Sequence, residues 1–150
     1  MTVKLDVKGF REIEKALAKL PASTAKGVAK RAMRAELKPV ASMANALWPG
    51  ADDDVFKVGS KVKGGQPQPK RGRSIVNLHV GAVNKPEAHL IEWGTGPRKH
   101  ESGKYVGAVA PHAMLGPAWD ANRHGMLEGL GARLWDEIAK TMARRAAKGK

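Results

Sequence analysis

Ala88-His89-Leu90-Ile91-Glu92-Trp93-Gly94-Thr95-Gly96-Pro97 opens the stretch that decides the fold, and it runs on as RKHESGKYVGAVAPHAMLGPAW to Trp119. His89 to Trp93 read as a strand, which Gly94-Thr95-Gly96-Pro97 stops. A polar, glycine-containing loop follows from Arg98 to Lys104. Ala110-Pro111-His112-Ala113-Met114-Leu115-Gly116-Pro117-Ala118-Trp119 then leads into a long helical pattern. The stretch thus joins a sheet edge to a helix through a loop too long for a plain turn. In compact domains such loops serve binding or assembly, or are disordered.

Upstream, Ser74 to Val80 alternates, with Val76, Leu78 and Val80 on one face and Ile75, Asn77 and His79 on the other. Gly81 to Pro86 turns the chain back, so an antiparallel hairpin with His89–Trp93 is predicted. Downstream, Trp119, Leu127, Leu130, Leu134, Ile138 and Met142 mark one long amphipathic helix. Gly125, Gly129 and Gly131 lie inside it, each costing about 1 kcal/mol relative to alanine. They predict either a break near Arg123-His124-Gly125 or close approach of a neighbouring backbone. The basic tail, about 143–150, is expected to fray.

Nearer the start, Val3, Leu5 and Val7 alternate with charged residues as a short half-buried strand, and Gly9 breaks it. Phe10, Ile13, Leu17 and Leu20 recur at helical spacing up to Pro21. Ser23 or Thr24 is expected to cap the next helix. Val28, Met33, Leu37, Val40, Ala44 and Leu47 form its apolar stripe, and Lys26, Lys30, Arg31, Arg34 and Lys38 its basic face. Pro39 costs about 3 kcal/mol inside a helix, which predicts a kink or two helices meeting near Lys38. Trp48-Pro49-Gly50 is the stop.

From about 51 to 73 the composition predicts a mobile loop, with Val55–Val58 as a short strand within it. Lys57, Lys61, Lys63, Lys70, Arg71 and Arg73 make that loop basic, without an acidic residue from Lys57 onward. These elements together predict an α+β fold in a single domain spanning 1–150. A small antiparallel β-sheet packs against two or three helices, with a long basic loop and a long C-terminal helix.

The chain has 150 residues and a formal net charge of +13, which points to a negative partner: nucleic acid, an acidic protein surface or a membrane. The bland alternative is lysine and arginine kept in water on helix faces. Without cysteine, disulfides and thiolate metal sites are excluded. No segment approaches the ~18 apolar residues of a membrane span, and Met1–Asp6 has no apolar signal core, so synthesis in the cytoplasm without export is expected.

No catalytic constellation emerges. His79, His89, His100, His112 and His124 never fall at metal-ligand spacing. As neighbours on a strand, His89 and Glu92 would face opposite ways. Asp52-Asp53-Asp54 could attract a divalent cation, but a solvated run of loop charges is the simpler reading. There is no Gly-x-Ser-x-Gly, phosphate loop or cysteine nucleophile. Gly94-Thr95-Gly96 lacks the helix of a dinucleotide fingerprint. The expectation is a non-enzyme with no cofactor and no metal.

Glu92-Trp93-Gly94-Thr95, followed by Pro111…Pro117-Ala118, resembles the gene-product-10-like tail-component family of long-tailed phages. Members carry an E-aromatic-G-T turn and later a P-F-L-x-P-A lead-in to the last helix. Here His112 stands where an aromatic is usual, and two extra residues separate the prolines. The resemblance extends loosely over nearly the whole chain.

It implies a structural virion protein of the neck, at the head–tail interface, assembled in the host cytoplasm. It would form a homo-oligomeric ring, expected to be a hexamer, between a head-side connector or stopper protein and the tail terminator or tail tube protein. It would complete the tail and join it to the head; capping the tube as its terminator is the neighbouring alternative. On this reading Glu92, Trp93, Gly94, Thr95, Pro117 and Trp119 serve assembly. Trp93 and Trp119 would be anchors, in the core or between subunits. The basic loop from Lys57 to Arg73 would meet a neighbouring subunit, an acidic ring or, non-specifically, DNA in the lumen.

The second reading is a basic nucleic-acid-binding protein, since phosphate contacts dominate such affinity. Against it, the cations are spread over every segment, and the predicted hairpin lacks interleaved aromatics. A membrane-surface role for the C-terminal helix is weaker, because Trp119 and Met142 fall at positions a core would use.

Overall fold

In a computed structural model the described residues are 9–52, 54–60 and 76–149. They form α1 (Phe10–Ala18), α2 (Ala22–Ala46), β1 (Phe56–Gly59), β2 (His79–Ala82), α3 (Ala88–Trp93), β3 (Thr95–Lys99), β4 (Tyr105–Val109) and α4 (Leu115–Ala147). The fold is α+β, as predicted. Its strands, however, make two separate two-stranded antiparallel sheets, β1–β2 and β3–β4. The expected strand at Val3–Val7 and most of the basic loop, including Lys61, Lys63, Lys70, Arg71 and Arg73, lie outside the described residues.

The chain divides into two compact units. The first takes α1, α2 through Glu36, and α4 from His124. Its core is Ile13, Val28, Ala32, Leu134 and Ile138, with Phe10, Ala16, Leu17, Leu20 and Leu130 packed against it. Val28 and Ala32, like Leu134 and Ile138, are four apart and so share one face of their helix. Each large side chain buried this way contributes about 1.5–3 kcal/mol. Arg31 fastens α2 to α4: its Nε donates to Glu137 Oε2 at 2.6 Å and its Nη2 to Thr141 Oγ1 at 3.0 Å. Arg133 pairs with Glu36 further along. As α2 numbers rise the α4 partners fall, so these two segments are antiparallel.

α1 begins at Gly9, whose φ of 102° is left-handed. α2 begins after Pro21, whose carbonyl accepts from Ala25 N–H at 2.9 Å. Ser23 and Thr24 therefore lie inside the helix and do not cap it.

The second unit takes α2 from Leu37, both sheets, α3, and α4 through Arg123. Its buried side chains include Val40, Ala41, Ala44, Val55, Phe56, Ala88, Met114 and Ala118. β1 matches the predicted strand, but its partner is β2, with Phe56 opposite Ala82 and Val58 opposite Val80. Asn45 ties this ribbon to α2, donating to Phe56 O at 3.0 Å and accepting from Phe56 N–H at 2.6 Å. Trp48 meets Phe56 edge-on, with ring centroids 6.1 Å apart.

His89–Trp93 is a helical turn and not a strand. A short apolar run cannot be told strand from helix by period alone. The helix puts Ala88, Ile91 and Glu92 on one side and exposes His89 and Trp93, four apart, on the other. His89 and Glu92 thus lie three positions apart on a helix and not on a strand. Pro39 lies within a single continuous α2, and α4 runs unbroken through Gly125 to Ala147, beyond the expected start of fraying. Gly129 and Gly131 are close approaches: a Cβ at Gly129 would lie 3.0 Å from Glu36 Oε2, and one at Gly131 3.8 Å from the Phe10 ring.

Candidate assembly surface

Met114 O accepts from Ala118 N–H, so the residues Met114 to Pro117 are the four whose backbone nitrogens have no partner within α4. The carboxylate of Glu92 takes three of them. Oε2 accepts from Met114 at 2.8 Å and Leu115 at 3.1 Å, and Oε1 accepts from Gly116 at 3.2 Å. Pro117 has no N–H to satisfy. One acid and one proline therefore complete the N-terminus of α4, with the negative charge where the helix dipole favours it.

The other residues of the motif continue this closure. Gly94 has φ 71°, and a Cβ there would sit 2.8 Å from Pro111 Cδ, Pro111 N and Val109 O. Thr95 Oγ1 accepts from Val109 N–H at 3.2 Å. His112 N–H donates to Ile91 O at 2.8 Å, and its Nε2 lies 2.8 Å from Leu47 O. A carbonyl can only accept, so that ring nitrogen carries the proton. His112 thereby links this turn to the end of α2.

On this base stands the β3–β4 hairpin, which replaces the expected polar loop. Thr95 pairs with Val109, Arg98 with Gly107 and Lys99 with Tyr105, with irregular register between them. His100 N–H donates to Lys104 O at 2.8 Å to close the tip. Among the described residues its strands pair only with each other. Tyr105 is 60% exposed, Val106 53%, and Trp93, at the base, 81%. Arg98, Lys99 and Lys104 flank them, all exposed.

Trp93 is therefore no core residue, and Trp119, at 47%, is only half covered. Met142 is exposed as well, so both ends of the predicted α4 stripe lie outside the core. Lys57 is exposed on β1. Asp52 is held by Lys85 Nζ at 2.7 Å. That hydrogen bond and the Asp52 charge raise the Lys85 pKa above 10.5. Among the described residues no group of His, Asp and Glu could hold a metal, and no helix is long and apolar enough to cross a membrane.

Sequence reasoning missed the Glu92 cap, the anchoring role of His112 and the exposed face of the hairpin. The run Tyr105-Val106-Gly107-Ala108-Val109, rich in β-formers, was the available signal for the last. Comparison with protein-family models, curated proteins and solved structures gives no match to this chain.

Proposed function

We propose that this chain is a structural component of a long-tailed phage neck, completing the tail and joining it to the head as a ring of copies. The hairpin carries this reading. It is an arm on which Tyr105 and Val106 are exposed, with Trp93 exposed at its base. An isolated two-stranded hairpin is marginally stable in water, and exposed aromatic and β-branched side chains on such an arm suit burial against another protein. Every position of Glu92-Trp93-Gly94-Thr95 serves to mount or present that arm, which supports the resemblance to the tail-component family. The neighbours are a second copy of the chain, a head-side connector or stopper, and the tail terminator or tube protein.

Electron microscopy of lysates from the parent phage lacking this gene tests the reading. Filled heads beside separate tails of normal length are expected. Overlong tails would assign the terminator role instead, and normal infectious particles would overturn the neck reading. A nucleic-acid-binding role then leads, supported by the +13 charge and by exposed cations on α2.

A further inference from the structure

Lys26, Lys30 and Arg34 follow one another at four-residue intervals along α2. Four residues of α-helix make little more than one turn and rise about 6 Å, so the three form one ridge about 12 Å long. All are exposed. Among the described residues no carboxylate lies within 4.0 Å of any of their charges, whereas the nearby Arg31 is held by Glu137. Glu14 and Lys26 line the same shallow groove without pairing. From Pro21 to Ala35 the chain has no acidic residue, and the first turn of α2 has none to offset its dipole.

This arrangement works against the helix itself. Like charges at i, i+4 repel, each pair only weakly. Ala22 continues the row toward the helix start, Ala29 and Met33 lie along one side of it, and Gly27 and Arg31 along the other. Between Ala22 and Glu36 no large apolar side chain is exposed. An apolar groove lined by Phe10, Leu17, Leu20 and Met33 runs beside Lys26, but the row at 26, 30 and 34 is made of cations alone. A repeated row of cations with no carboxylate paired to it matches a repeated row of phosphates.

We infer that the Lys26–Lys30–Arg34 ridge binds the phosphodiester backbone of duplex DNA without reading its sequence. The contact does not rest on the neck assignment: it serves a ring that DNA traverses and a free DNA-binding protein alike. It also differs from the contact expected of the Lys57–Arg73 loop, since it uses a rigid helical face.

The test is fluorescence anisotropy of the full chain with a labelled mixed-sequence duplex over about 50–200 mM salt. The triple variant Lys26→Gln/Lys30→Gln/Arg34→Gln is compared with Arg98→Gln/Lys99→Gln/Lys104→Gln, which removes the same charge from the hairpin. Three lost phosphate contacts flatten the log–log salt slope by about 2.7, so the affinity lost across that range shrinks by about 40-fold. The hairpin variant keeps the wild-type slope. Glutamine is a good helix former, so thermal melts should show both variants folded. Equal slopes for the two folded variants would overturn the inference. So would loss of poly-glutamate binding in the α2 variant with its DNA slope intact, which would make the partner an acidic protein.

Discussion

Glu92 Oε2 lies 2.8 Å from the backbone nitrogen of Met114, 22 positions away in sequence. The contact joins the end of α3 to the start of α4, and the entire β3–β4 hairpin runs between them. Glu92 is thus the latch at the base of the exposed arm. The same carboxylate satisfies every backbone donor that α4 leaves unpaired at its start, because Pro117 removes the fourth.

Glu92→Ala should cost about 1–3 kcal/mol, since it leaves three backbone donors without their charged acceptor. Glu92→Gln keeps one acceptor oxygen without the charge and should lose less. Denaturant unfolding gives the energies, and hydrogen exchange at Met114, Leu115 and Gly116 gives the location. An alanine variant as stable as the wild type, with those amides still protected, would show that the latch contributes nothing.

Three glycines of the hairpin region should grade by what each must accommodate. Gly96 has open space around it and no left-handed φ, so Gly96→Ala should fall within about 0.5 kcal/mol of wild type. Gly107 has φ 85° but open space, and alanine there should cost about 1 kcal/mol. Gly94 combines φ 71° with a Cβ position 2.8 Å from Pro111, so Gly94→Ala should cost about 2–4 kcal/mol. Unfolding midpoints for the three variants check the order, and a mild Gly94 variant would contradict it.

Helical periodicity made α1, α2 and α4 legible, because each carries its apolar residues over several turns. Their weak points were overweighted. Pro39 forfeits one hydrogen bond and Gly125 some propensity, yet each lies inside a helix long enough to continue past it. α3 was illegible for a different reason. Its run is short, and helix prevails where Glu92 can reach the α4 nitrogens, a contact that no local pattern records. Glu92, Gly94 and Pro117 were recognisable as a motif, while their shared task appears only when chain positions 22 apart are brought together.

Gly125 and Gly129 offer a contrasting pair on α4. A Cβ at Gly125 meets nothing within 4 Å among the described residues, so Gly125→Ala should stabilise by about 1 kcal/mol through helix propensity. At Gly129 the Cβ would press on the Glu36 carboxylate that pairs with Arg133. Glu36 would have to swing aside, and most of the same gain should be lost. Thermal melts of the two variants decide this, and an equal gain at both sites would mean that Glu36 moves at no cost.

Trp93 and Tyr105 should be dispensable for folding and needed for assembly. Trp93 is 81% exposed and Tyr105 60%, so Trp93→Ser and Tyr105→Ser should each change stability by no more than about 0.5 kcal/mol. An aromatic buried at the centre of a protein interface is worth about 2 kcal/mol or more, which corresponds to roughly 30-fold in affinity. Analytical ultracentrifugation of the purified variants, with complementation of a phage lacking the gene, separates the two effects. Folded variants that neither form rings nor restore infectivity are expected. Full complementation by the double variant would show that the hairpin face is not where this protein meets its neighbours, and the proposed assembly role would lose the observation that carries it.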